Sequence, residues 1–425
     1  MAFLSTLKQR NLLLLLLAQM VSNIGSIMQT MALSLYVLSF ASEVQFATVL
    51  AVGMLPRLFG PLTGVLTDRL NRKSLLIVFD VAAGFLTLAF AMAYEFMGGL
   101  PLWMIYVLVL SLSAVQTFSD PAAGAILPDI VSPDHLEEAN SANSFVTNAS
   151  YIAMPALAGI LYGSSGLLPV MLINALSFFT AAFTEAFIRY HPQPHIEKAK
   201  GEPFLHSLRE GFRVYRGNIE LILLIVISIA VNFTLNPVLT VALPYVLKVD
   251  LNVSSQVYGF SQSMLFIGPV LGSLAAGFLL KKINYKRVIV AILLLDSVLV
   301  LALGVLSRAG LLQYNLMQVL LLNVCAFFIV STMVLGGIAC MSTVQRIVPP
   351  ELMGRVMGVD TALSVAAIPV GQWLIGWGMN AGGSFAACAA FAVLVLAVGV
   401  VSLVRYHPML RQESRSAAAA QTPAD

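Results

Sequence analysis

RYHP stands twice in this chain, at Arg189-Tyr190-His191-Pro192 and at Arg405-Tyr406-His407-Pro408, each time directly after a long apolar run. The copies lie 216 residues apart (405 − 189) in a chain of 425, so two apolar runs end alike half a chain apart, which reads as an internal duplication. Around them the chain is 59% hydrophobic and 10% charged, against roughly 25% charged in a soluble globular protein. That composition places it in a membrane. Cutting at charged loops and at Gly, Pro and Asn clusters gives twelve apolar spans, at 12–40, 44–67, 74–97, 101–123, 140–163, 167–189, 219–247, 256–280, 287–307, 312–340, 354–379 and 384–404. Each has the roughly 20 residues needed to cross a hydrocarbon core about 30 Å thick. Hydrocarbon satisfies no backbone polar group, so each span is expected to be a helix; the alternation of a barrel strand is absent.

The start, MAFLSTLKQRNLLLLLLAQM, has the basic flank of a secretory signal, but its apolar run continues past Met31 without a small-residue cleavage site. It reads as a retained first span. Of the 23 Lys and Arg, all but Arg57, Lys248 and Arg308 fall on the side shared by the N-terminus, every second loop and the C-terminus. The positive-inside rule therefore predicts both termini and the 190–218 loop in the cytoplasm. The net charge of +3 follows from that bias and gives no sign of nucleic-acid binding. Cys325, Cys340 and Cys388 have no metal-ligand spacing and read as packing residues.

The duplication extends beyond RYHP. LFGPLTGVLTDRLNRK (58–73) matches FIGPVLGSLAAGFLLKKINYK (266–286), and IAMPALAGILYG (152–163) matches AAIPVGQWLIGWG (366–378). The expected organisation is an N-terminal six-helix half over 1–190, a cytoplasmic linker over 191–218, a C-terminal half over 219–404 and a disordered tail over 405–425.

At GVLTDRLNRK the sequence resembles the major facilitator superfamily, which is built from two parallel six-span halves. Gly64, Asp68, Arg69, Arg72 and Lys73 match its signature between spans two and three, with Asn71 in place of the usual Gly. DPAAGAILPDIVSPDHLEEANSANS (120–144) and VPPELMGRVMG (348–358) look like loops of the bacterial drug, macrolide and siderophore exporters. The resemblance covers nearly the whole chain. It implies an all-α membrane protein of twelve transmembrane helices in two pseudo-symmetric halves around a central cavity, in the bacterial inner membrane, acting as a monomer. It also implies a conformational lock: Asp68 faces the start of span eleven around Gly354, and Arg72 pairs with Asp120. The alternative for the basic residues is ordinary positive-inside charge. Three positions depart from the family pattern. Lys281 stands where the first half has Asp68, span four has no Arg, and Met154 replaces the Gly before Pro155.

Gln19, Asn23, Ser26 and Thr30 share a face of span one, and Ser228, Asn232, Asn236 and Thr240 share a face of the equivalent span seven. They read as substrate-cavity residues or, alternatively, as interhelical hydrogen-bonding groups. Pro237 and Pro244 are expected to break span seven where it opens onto the cavity. Ionisable residues inside spans are functional candidates by default. Asp80, Glu185 and Asp296 fall on spans three, six and nine, which the resemblance puts at the periphery of the fold, a position less suited to substrate ligands. Arg57 lies about 16 Å from the cytoplasmic turn, and Asp80 and Asp360, about 10 and 9 Å deep, are its two candidate partners. Without a nucleotide loop, paired-His site or soluble domain, the chain is expected to have no cofactor, metal or catalytic site and not to be an enzyme. It is expected to export a small apolar or amphiphilic, drug-like molecule by alternating access, with protons as the coupling ion and the bilayer as its surroundings. The alternatives are a dedicated exporter of an endogenous metabolite such as a siderophore, and a non-transporting sensor or scaffold.

Overall fold

Apolar runs of this length dictate helices, and the residues between them dictate where the helices start. A computed structural model describes residues 9–60, 63, 70–190, 212–308 and 315–420; of 315, 350, 351 and 407–420 only the helical course is described. Secondary structure among the described residues is helical throughout. The elements are α1 (Arg10–Leu38), α2 (Glu43–Met54), α3 (Arg72–Met97), α4 (Leu102–Ile130), α5 (Leu136–Ser165), α6 (Leu167–Ala186), α7 (Ile219–Pro237), α8 (Ser255–Leu265), α9 (Gly268–Lys282), α10 (Tyr285–Leu306), α11 (Asn315–Ile347) and α12 (Pro350–Ala420). Ten stretches among the described residues are long and apolar enough to cross a membrane. The last of them passes through Gly383, whose left-handed φ of 79° divides α12 into two straight segments.

Short polar side chains cap the starts. Ser42 and Gln45 form a reciprocal capping box at α2. Asn71 Oδ1 accepts from Ser74 N–H at 3.1 Å, and Asn284 Oδ1 from Lys286 N–H at 2.9 Å. The Asn that departs from the family signature thus caps α3, and its counterpart half a chain on caps α10.

Prolines act differently from expectation in span seven. The helix is not broken at Pro237 or Pro244: α7 continues through wide π turns over Val238–Ala242 and Val246–Asp250, which absorb the missing donors. The duplicated Gly-Pro sequence does interrupt the helix in both places. Leu55–Phe59 tightens to a 3₁₀ turn before Gly60, and the chain turns at 266–267 between α8 and α9. Span four runs seven residues beyond its expected end at 123, to Ile130, despite Pro121 and Pro128. At the other end of the chain α12 continues to Ala420, through most of the tail expected to be disordered; its Ala417–Ala420 run is a strong helix former.

The chain packs as two compact units, Met1–Ser207 with Leu247–Phe266, and Leu208–Val246 with Ile267–Asp425. In the first, Leu12, Leu15, Leu76, Ile126 and Ile188 form a core near the basic helix ends. Glycine lets two pairs of helices approach closely there. A Cβ on Gly25 of α1 would collide with Ser177 and Asn174 of α6, and one on Gly159 of α5 would collide with the carbonyl of Ser255, the first residue of α8. In the second unit Tyr215, Leu221, Val356 and Val359 form a core. Large apolar side chains such as Phe85, Leu176, Phe183, Leu274, Val298 and Val393 remain on the outside, as lipid-facing residues would.

Candidate functional site

Each unit encloses a cavity. That of the first, about 260 Å³, is lined by Asn23, Ser26 and Thr30 of α1, Asp80 of α3, Ser113, Gln116, Ser119 and Asp120 of α4, and Arg57. Three of the four stripe residues of span one therefore reach it. Gln19 does not line it; its Oε1 is buried without a hydrogen-bond partner. Between α1 and α6, Asn174 Nδ2 donates to Gln29 Oε1 at 2.8 Å, fixing two further polar residues of the wall. Span four contributes a stripe that the sequence reading passed over, although Ser113, Gln116 and Ser119/Asp120 recur at helical spacing.

The cavity of the second unit is larger, about 440 Å³, and more apolar, with Met333, Met341 and Met357 in its wall. Ser228, Asn232, Asp296, Thr332 and Asp360 supply its polar groups. Ser228 Oγ lies 2.8 Å from Ser364 Oγ and within reach of the Asp360 carboxylate. Asn236 and Thr240 do not line this cavity: Thr240 Oγ1 donates to the Asn236 carbonyl at 2.9 Å and accepts from Gln372 Nε2 at 3.2 Å. The stripe of span seven thus divides into a cavity pair, Ser228 and Asn232, and a pair off the cavity, of which Thr240 bonds to Gln372 of α12.

Asp80 and Asp296 both face cavities although they lie on spans expected at the periphery. The inner faces of α3 and α10 pack against neighbours, and each carboxyl is carried inward on such a face. Asp296 is fully buried; its Oδ1 accepts from Thr332 Oγ1 at 2.6 Å, while Oδ2 has no partner.

Arg57 shares the first cavity with two carboxylates. Asp120 of α4 lines this cavity with it. Asp80 lines the same cavity, and Asp360 the cavity of the other unit.

The expected Arg72–Asp120 pair is replaced by another. Arg72 Nη1 meets Asp129 Oδ2 at 2.7 Å and donates to the Ala125 carbonyl at 2.9 Å. The reason is helix length: Arg72 opens α3, whereas Asp120 lies ten residues, about 15 Å, inside the end of α4 at Ile130. Asp129 is at the matching level. Tyr190 Oη also donates to Asp129, at 3.1 Å, and burial first, then that carboxylate, raises its phenol above the ordinary tyrosine range. Neighbouring Arg189 is clipped through its backbone to Asn11, at 2.9 and 3.1 Å. Arg189 and Tyr190 thus fasten the end of α6 to α1 and α4. In the second copy Tyr406 is buried with an unpartnered hydroxyl, near Glu220, which pairs with Lys286 at 3.4 Å. Gly64, Asp68 and Arg69 lie outside the described residues. Lys73 donates to the Ala186 carbonyl at 2.7 Å, and Gly354 is exposed near the start of α12. Among the described residues no group of His, Cys, Asp and Glu is placed to hold a metal.

Apolar helices of spanning length around polar, charge-bearing cavities define a multi-pass membrane transporter. The chain belongs to the family described as transmembrane secretion effector, within the major facilitator superfamily, whose model matches residues 1–424. It is 26% identical over 362 residues to macrolide efflux protein A of Streptococcus pyogenes, covering 83% of this chain and 85% of that protein. It is 26% identical over 417 residues to the multidrug efflux pump Tap of Mycolicibacterium fortuitum, covering 95% and 97%. Among solved structures, the nucleoside transporter NupG has the same fold, with a TM-score of 0.71 at 15% identity over 93% of this chain and 99% of that one. A bacterial homologue of the iron transporter ferroportin, in its inward-facing state, gives a TM-score of 0.66 at 16% identity over 92% and 98%.

Proposed function

We propose that this protein is a secondary active exporter of a small amphiphilic, drug-like molecule in the bacterial inner membrane, working by alternating access and driven by protons entering in exchange. The observation that carries this reading is the character of the two cavities. The second is broad and methionine-walled, suited to a variable apolar cargo, with Asn232, Asp296 and Asp360 as its orienting polar groups. The first is smaller and polar, with Arg57 among Asp80 and Asp120. The names of the relatives, macrolide and multidrug efflux proteins, support the same cargo class. In this reading the chain crosses the membrane twelve times as two six-helix halves, with both termini cytoplasmic and Asp68 controlling the conformational cycle. Intramembrane carboxyls supply the groups on which protons ride.

Expression in a drug-sensitive host tests the reading. The full chain is expected to raise resistance to macrolides or other amphiphilic antibiotics and to lower their intracellular accumulation, with an uncoupler restoring accumulation. Unchanged susceptibility and accumulation across such a panel, at verified membrane expression, would reject it.

A further inference from the structure

The first unit carries a second carboxyl behind Asp80. Helices α3 and α6 lie side by side and antiparallel: at their basic ends Lys73 Nζ holds the Ala186 carbonyl at 2.7 Å, and further in Gly84 faces the ring of Phe179, 2.8 Å from where a Cβ would stand. Glu185 lies on the buried face of α6 that carries Asn174 and Phe178, two residues that line the cavity together with Asp80. Both side chains are withdrawn from the surface, Asp80 at 8% and Glu185 at 3% exposure, and Glu185 Oε2 is buried without a hydrogen-bond partner. The charge of Asp80 acts on Glu185.

Among the described residues the nearby cations have other partners or are exposed, Arg189 beyond the end of α6 included. Arg72 of α3 is held by Asp129 of α4 and Lys73 by the Ala186 carbonyl, and Arg57, which lines the cavity with Asp120 of α4, is exposed. Arg10, the basic residue of α1, is exposed at its start, and His135 beside α5 pairs with Glu138. Two neighbouring buried carboxyls disfavour each other's ionisation, and burial adds to the effect. Such a pair is suited to holding one proton between its two groups. The proton can sit on either oxygen acid, and its transfer from one to the other leaves the pair's net charge at minus one.

The positions of the two groups give that proton a direction. Asp80 lines the cavity, whereas Glu185 is the penultimate residue of α6, beside the basic helix ends. We propose that Asp80 and Glu185 share a single proton and form a side path for it between the cavity of the first unit and the basic end of α6. This deepens the proton-driven reading above and, in its transport consequence, rests on it.

Two measurements on the full chain test the proposal. Infrared difference spectra of the purified protein across a pH titration, in H₂O and D₂O, report protonated carboxyl groups without any substrate. Glu185→Gln and Asp80→Asn are each expected to remove or shift the same carbonyl band, and the double variant to change no more than either alone. Two independent, additive bands, or no change in either variant, would overturn the shared proton; size-exclusion profiles matching wild type establish that the variants are folded. In everted vesicles with a radiolabelled macrolide as probe, Glu185→Gln is expected to lose macrolide-dependent collapse of the pH gradient while keeping macrolide counterflow, which needs no net proton movement. Wild-type gradient collapse in that variant would overturn the path. Absence of collapse in the wild type itself would instead refute the proton-driven exporter, leaving the infrared result to decide the pair.

Discussion

Replacing Asp129 by alanine removes the carboxylate that holds Arg72 at the basic end of the first unit. Both side chains are about nine-tenths buried, at 10% and 9% exposure, so solvent cannot replace the lost partner. Breaking such a pair from one side costs about 3–5 kcal/mol. The lower end applies here because Arg72 keeps the Ala125 carbonyl. At roughly 2–4 °C per kcal/mol for a unit of about 200 residues, a loss of about 3 kcal/mol lowers the melting temperature by about 6–12 °C. The assay is thermal unfolding of the detergent-solubilised protein, followed by size-exclusion chromatography. Tyr190→Phe removes only one hydrogen bond to the same carboxylate, about 1.5–3 kcal/mol, and should give a smaller shift. Asp120→Ala should leave Arg72 undisturbed. A melting temperature for Asp129→Ala equal to wild type would refute the assignment of the pair.

The divided stripe of span seven gives a second test: Asn23→Ala and Asn232→Ala should change the apparent affinity for an exported drug or the range of drugs exported. Thr240→Ala, which alters an interhelical contact with Gln372, should change protein amount or stability instead, as read by transport against expression level. Arg57→Ala should abolish transport, and Arg57→Asp combined with Asp120→Arg should restore more activity than its combination with Asp80→Arg, because Asp80 shares its proton with Glu185. Asp68→Asn should abolish transport at normal expression, and wild-type rates in that variant would remove the proposed role of this carboxylate in the cycle.

Much of this was readable from the chain because hydrocarbon leaves so few choices. Apolar run length fixed helices, and the duplicated Gly-Pro sequences located the helix interruptions at 55–59 and 266–267. Stripes at helical spacing picked out Asn23, Ser26, Thr30, Ser228 and Asn232, each of which lines a cavity within its own unit. What could not be read depends on height and phase. Composition could not end span four, since Pro121 and Pro128 fit inside a helix that runs to Ile130, and the partner that the resemblance implies for Arg72, Asp120, differs from Asp129, which the packing sets at its level. Likewise nothing in a linear pattern tells whether an outer span turns its carboxyl toward lipid or inward, so Asp80 and Asp296 were discounted as substrate-facing groups. That Asp80 and Glu185 are neighbours depends on how α3 packs against α6, which a linear pattern does not carry.

Proton-driven export is the central claim, and everted membrane vesicles containing the wild-type chain test it most directly. After respiration acidifies their interior, adding a macrolide should dissipate the pH gradient in proportion to the amount of this protein, and an uncoupler should stop macrolide accumulation inside the vesicles. Accumulation that continues undiminished after the gradient is abolished would contradict the account.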